Sequence, residues 1–426
     1  MEYFNWHCLQ FRFTIDWRRS LYRYHMKKGV LALRSRSTQL LLIAAIFMVT
    51  INLRPAITSI GPMLDIIRDD LSLSNTQVSL LTVIPVICMG VFAMLAPVLN
   101  KAIGLNKTMY FMLLLLAAAT GIRFFVASFN VLLATAFVAG ITIAVMGPLL
   151  SALIKQYFPK HVAVVVGIYS FGMGMGATLS TGLTGVLYEA AGSSYTTALA
   201  VWAILAVVGI IAWTFTAIHP IEVKQVAKQP VQTGVNPWRS AKAWSFLVFF
   251  GLQSALFFSV LTFLVPIATA NGMTLLKAGT LLSMMTIVQI FMNIGFPVIL
   301  QKFNSRTPAL VTILVLGILS VGLMWTADPL WFAIGVLIMG IPLGGLFPIC
   351  LLMPMDATET ADETNSWTAM MQTGGFIIGG ILPLLIASLY DYTANHQVTL
   401  FVFLLLFVAM LVLALQIGRS AGKARS

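Results

Sequence analysis

Ala96-Pro97-Val98-Leu99-Asn100-Lys101 returns, about 200 residues further on, as Phe296-Pro297-Val298-Ile299-Leu300-Gln301-Lys302. Each stretch closes a long apolar run with a proline and a lysine. Three further pairs keep the same order and offset. Gly140 and Pro148 are matched by Gly340 and Pro348, eight residues apart in each case. Gly172 and Gly176 are answered by Gly375 and Gly379, and Leu187-Tyr188-Glu189 by Leu389-Tyr390-Asp391. One such match carries little weight; four in order read as an internal duplication of a six-helix unit.

The duplicated material belongs in a bilayer. Of the 426 residues, 59% are hydrophobic and 9% charged, whereas soluble domains carry about 25% charged residues. Apolar runs long enough to cross ~30 Å of hydrocarbon at ~1.5 Å per residue recur throughout. They fall at 38–63, 78–99, 108–127, 131–154, 162–186 and 196–217, then at 244–269, 276–300, 308–326, 330–353, 365–389 and 397–417. The expected fold is therefore an all-α polytopic membrane protein of twelve transmembrane helices in two six-helix pseudo-repeats. Residues 38–217 make the first half, 218–243 a linker with Pro220, Pro230 and Pro237, 244–417 the second half, and 418–426 a tail.

A net charge of +12 suggests nucleic acid until its placement is considered. Twelve spans put both termini on one side. That side collects 21 of the 25 basic residues, from Arg12 through Lys101, Lys155, Arg306 and Lys242 to Arg425. By the positive-inside rule both termini and the linker are cytoplasmic, in a multi-pass protein of the cytoplasmic membrane, and no nucleic-acid partner is implied. Cys8, Cys88 and Cys350 are too scattered for a ligand set or disulfide framework, so neither metal nor cofactor is expected. The aromatic, basic segment 1–25 has two readings. It is an interfacial helix on the cytoplasmic leaflet, or an extension ahead of an internal start at Met26; the plainer second reading is preferred.

Within this apolar frame Thr50-Ile51-Asn52-Leu53-Arg54-Pro55-Ala56 stands out. Arginine stays protonated at any working pH, and a charge near mid-bilayer costs at least ~2.5 kcal/mol on insertion scales. Pro55 cannot donate a backbone hydrogen bond and clashes with the carbonyl four residues back, so it frees the carbonyl of Ile51 and bends the helix beside Arg54. All thirteen acidic residues fall at span ends, in loops or in the N-terminal segment. No intramembrane carboxylate is available to neutralise Arg54, and a bound anion would supply the missing charge. A paired acid and base for catalysis is likewise lacking, so an enzyme is not expected. Arg123, nearer the outer end of span 3, reads as a structural residue that snorkels.

Among neutral polar residues in spans, Gln253 ranks first because span 7 corresponds to span 1. Gln372 and Tyr169 follow, with Gln289, Asn293 and Ser254 beside them. The pairs Gly172/Gly176 and Gly375/Gly379 have the spacing that lets helices approach closely. They are expected at the sliding contact between the halves, with Pro55, Pro148 and Pro348 as helix-bending positions.

Asn52-Leu53-Arg54-Pro55-Ala56 resembles the signature of the cyanate-permease and 2-nitroimidazole-exporter branch of the major facilitator superfamily. Leu153-Ile154-Lys155-Gln156-Tyr157-Phe158-Pro159, Phe250-Gly251-Leu252-Gln253-Ser254 and Gly344-Gly345-Leu346-Phe347-Pro348 extend the likeness from about Gln39 to the end of span 12. The resemblance implies alternating access by two six-helix halves and secondary transport of a small anion or small nitrogenous solute. Arg54 would anchor that solute, with Asn52 and Gln253 as neighbours. One departure is clear: Asn100-Lys101-Ala102-Ile103-Gly104 lacks the acid that the superfamily carries in this loop, so its charge-relay lock does not transfer.

The expected function is alternating-access transport of a small anion such as cyanate across the lipid bilayer, with coupling open between a proton brought by the substrate and exchange for another anion. Export of nitroimidazole-like compounds is the rival, supported by Met-rich and aromatic spans. A membrane solute sensor is a third possibility, weakened by a short linker with no output module.

Overall fold

The computed structural model describes residues 36–218, 236–300, 306–326, 328–393 and 395–423. The N-terminal segment before residue 36, most of the linker and the last three residues, for which expectations are given above, lie outside these. Residues up to Leu42 form a unit separate from Ile43–Ser426; its described part is the opening of the first helix.

Apolar length decides the architecture. Eleven helices among the described residues are long and apolar enough to cross a membrane, and one bent pair makes a twelfth. Spans 1 to 6 are Gln39–Asp70, Leu80–Val91 with Leu95–Ile103, Leu105–Phe124, Phe129–Tyr157, Val162–Ala190 and Tyr195–Phe215. Spans 7 to 12 are Ala241–Ala270, Lys277–Leu300, Thr307–Met324, Pro329–Ala357, Ala361–Tyr390 and His396–Ile417.

The duplication is visible in the packing of the larger unit. Span 2 lies on span 4, span 3 on spans 4 and 6, and span 5 on span 1; span 8 lies on span 10, span 9 on spans 10 and 12, and span 11 on span 7. Equivalent glycines make equivalent approaches. A Cβ at Gly140 would sit 2.6 Å from Cys88 Cβ of span 2, and one at Gly340 would sit 2.6 Å from the Met285 carbonyl of span 8. Between halves, span 5 packs on span 8 and span 11 on spans 2 and 4.

Two spans depart from the simple rods that hydropathy suggests. Span 2 bends by 62° between Val91 and Leu95, because the ring of Pro97 cannot share a helical turn with the Ala93 carbonyl; that carbonyl instead accepts from Ala96 N at 3.1 Å. The partner motif at Pro297 sits in an unbroken helix. Span 1 runs seven residues past its expected end at Met63. Ile60, Met63 and Ile67 bury themselves against Leu81, Leu132, Tyr195 and Leu199, and the Tyr195 hydroxyl donates to Asp70 at 3.1 Å.

The end carrying the linker is closed by contacts that join the halves. Lys155 Nζ donates to the Met355 carbonyl at 2.5 Å, and Asn100 Nδ2 to Asp362 Oδ1 at 3.2 Å. Beside them Arg306 pairs with Asp356 at 2.7 Å. Asn100 belongs to the loop that lacks the superfamily's acid; here the acid is on the opposite half, in the first turn of span 11.

Candidate functional site

Span 1 is not a continuous helix where it carries its charge. It passes through a 3-10 turn at Ile51–Leu53, a short helix at Pro55–Thr58 and a second 3-10 turn at Gly61–Met63. Pro55 explains the first break: the Ile51 carbonyl loses its helical donor and turns toward span 5, where Gly176 makes room. A Cβ at Gly176 would overlap that carbonyl oxygen, and one at Gly172 would overlap Thr50 Oγ1. The rest of the break is held by side chains. Thr58 Oγ1 donates to the Arg54 carbonyl at 2.9 Å and lies 2.6 Å from Ser180 Oγ. Arg123 is fully buried; its guanidinium donates to the Ala56 carbonyl at 2.9 Å and to Thr135 Oγ1 at 3.0 Å. Arg123 therefore does not snorkel. It replaces a missing backbone donor at the break, which the sequence could not show because Ala56 is 67 residues away.

Arg54 faces a cavity of about 630 Å³ enclosed by spans 1, 5, 7, 8, 10 and 11. Toward the linker end its wall is buried, at Ser170, Met173, Gln253 and Asn293. Toward the other end it becomes exposed, at Thr178, Thr181 and Ser283. The cavity thus opens away from the linker. Its surface is mostly apolar, with Phe257, Phe258, Phe347 and Phe376 around it. Among the described residues no ion pair or side-chain hydrogen bond engages the Arg54 guanidinium, and no other charged residue lines the cavity. Among the described residues nothing pairs with the buried Gln253 Oε1, Gln289 Oε1 or Ser170 Oγ. One fixed cation and several unused polar groups in an apolar wall can hold a planar solute that is negative at one end and polar at the other.

The structure sorts the sequence candidates. Arg54 and Gln253 line the cavity, joined by Gln289, Asn293 and Ser254. Tyr169 is buried beside the lining residue Ser170 and is not itself a wall residue. Asn52 points elsewhere: its Nδ2 donates to the Met48 carbonyl at 2.6 Å and packs against Gly209 of span 6. Gln372 fills the space left by Gly147 of span 4, with its Oε1 2.8 Å from where a Cβ would be. It is a contact between halves. The glycine pairs reverse the expectation placed on them. Gly172 and Gly176 seat span 5 on span 1, and Gly375 and Gly379 seat span 11 on Phe250 and Ser254 of span 7. Both contacts lie within a half and not between the halves. Pro148 and Pro348 are buried inside spans 4 and 10. Thr58, Ser170, Thr178 and Thr181 are wall residues that carry no conspicuous sequence signal; on span 5 the last three stand eight and three residues apart, a polar stripe at helical spacing.

Such a pair of pseudo-repeated helix bundles around a central cavity defines a secondary carrier. The Major Facilitator Superfamily model matches residues 40–380, and the chain belongs to that superfamily. Three bacterial relatives match nearly end to end. The uncharacterized transporter YycB of Bacillus subtilis is 28% identical, over 90% of this chain and 94% of its own. The cyanate transport protein CynX of Escherichia coli is 27% identical, over 88% and 96%. The 2-nitroimidazole transporter of Escherichia coli is 26% identical, over 90% and 97%. The fold is that of the superfamily transporter FucP solved in its outward conformation, with a TM-score of 0.70 at 13% identity over 89% of this chain and 99% of that one. The protein is thus a multi-pass secondary transporter of small solutes in the branch of its cyanate and nitroimidazole relatives, and not an enzyme.

Proposed function

We propose that the protein carries a small monoanionic solute across the cytoplasmic membrane by alternating access, with Arg54 as its anchor and Gln253 beside it. Both termini and the linker, 218–243, face the cytoplasm, and the halves 38–217 and 244–417 rock about the cavity. The supporting observation is the Arg54 guanidinium in the cavity wall without a carboxylate partner among the described residues. A planar guanidinium donates two parallel hydrogen bonds to a carboxylate-like anion, which an ammonium cannot reproduce, and a charge-assisted bond to a terminal atom of a linear anion such as cyanate. Losing a charge-assisted hydrogen bond costs about 1.5–3 kcal/mol, so Arg54→Gln should weaken anion uptake at least tenfold. Arg54→Lys should fall well short of wild type in proteoliposomes; full uptake by that variant refutes the anchor.

A second reading concerns the size of the solute. A three-atom anion needs on the order of two water volumes, ~60 Å³, a small part of the 630 Å³ present. The four phenylalanines and the unpaired amide oxygens of Gln253 and Gln289 suit a nitroimidazole-like ring, stacked on the aromatics and offering an N–H to an amide. Competition of labelled cyanate uptake by 2-nitroimidazole separates the two.

A further inference from the structure

We infer that this carrier exchanges one anion for another and returns empty only slowly. The inference rests on the reading of Arg54 as anion anchor and extends it to the charge balance of the whole cycle. Among the described residues Arg54 is the single charged group lining the cavity. Arg123 is not among the lining residues and donates to the Ala56 carbonyl and Thr135. No acid is among the described lining residues, and Glu189 and Asp356 lie in the last turns of their helices. No carboxylate therefore approaches Arg54 when the solute leaves.

To change sides, the protein must pass through a state closed at both ends. With a monoanion bound, the cavity then sums to zero charge. Without it, the closing walls of Phe257, Phe347 and Phe376 strip water from a lone guanidinium, and an uncompensated buried cation is costly. The loaded form crosses more readily than the empty one. One monoanion enters and one leaves per cycle, so no proton is moved and no net charge crosses the membrane.

Benzenesulfonate and cyanate are suitable probes. The first is ionised at every working pH and carries no proton. Thermal protection of the purified protein by either anion, absent in Arg54→Gln, establishes binding; protection by neither overturns the anchor reading and this inference with it. Proteoliposomes are then loaded with the unlabelled protecting anion or left without it, and uptake of its labelled form is followed. Exchange predicts at least tenfold faster uptake into loaded vesicles, about 1.4 kcal/mol between the two barriers, unchanged by an imposed potassium diffusion potential. Equal rates overturn exchange while leaving the anchor intact. Gln253→Glu places a carboxylate in the cavity as an internal counter-charge. The ratio of loaded to unloaded uptake should then fall below about two; a ratio that stays at the wild-type value in the folded variant overturns the electrostatic origin of the effect.

Discussion

Gly176→Ala tests whether the break in span 1 is held in place from behind. A Cβ at this position would overlap the Ile51 carbonyl oxygen, a backbone atom that cannot rotate aside. Span 1 must retreat by about 1 Å, the difference between overlap and ordinary contact. Overpacking of this kind costs about 1–3 kcal/mol, against which alanine recovers about 0.8–1 kcal/mol of helix propensity. Gly185, on the same helix, has nothing within 4 Å of its absent Cβ. Gly185→Ala keeps the propensity gain and lacks the clash, so the two variants should differ by the overpacking cost, about 1–3 kcal/mol. Thermal unfolding in detergent measures that difference. Arg54 is three residues beyond Ile51, so displacement of the break should also raise the half-saturating concentration for cyanate uptake in Gly176→Ala alone. If the two variants unfold together and transport alike, span 5 does not position the arginine and the account of the break is wrong.

Arg123→Met removes the donor to Ala56 and leaves a buried carbonyl unpaired, a loss of about 1–3 kcal/mol that should appear as a lower unfolding temperature. A rise in that temperature would mean that the buried charge costs more than its bonds return. In a cysteine-free background Thr178→Cys should react with a membrane-impermeant thiol reagent added from the side opposite the linker, whereas Asn52→Cys should not; mass spectrometry reads both. Asn365 of span 11 is buried with both amide atoms unpaired among the described residues, and opening the linker end would expose them to water. Asn365→Leu should hold that end closed by about 1–3 kcal/mol, visible as a shift in spin-label distances across it; unchanged distance populations would count against the idea. Lys155→Ala removes a bond between halves and should shift the same populations the opposite way.

The fold was legible because membrane insertion makes length and hydropathy nearly sufficient, and because the duplication displays itself at Pro97 and Pro297. Arg54 was legible for a related reason: a charge in an apolar run is conspicuous. What remained hidden depends on rotation about helix axes and on distant neighbours. Asn52 lies in the 3-10 turn two residues before Arg54, about 240° away at ~3 residues per turn, and so faces span 6 instead of the cavity. Gln372 looked like a wall residue because glutamine is scarce in spans, yet only the absent side chain of Gly147 explains its place. The glycine pairs promised close approach and delivered it, but spacing does not say which helix approaches. In both halves the partner is the helix that leads its half, span 1 or span 7.

The length of span 1 bears on how the chain enters a membrane. Its 32 residues extend about 48 Å as a helix, well beyond the ~30 Å of hydrocarbon. The excess of ~18 Å lets an unpacked segment slide by up to ~9 Å either way, which moves Arg54 toward a headgroup without reaching it. Span 5, with its Gly176 notch, and span 3, with Arg123, emerge only afterwards. If seating of the arginine waits for these partners, a chain truncated before span 5 should hold its first helix at a different depth from the complete protein.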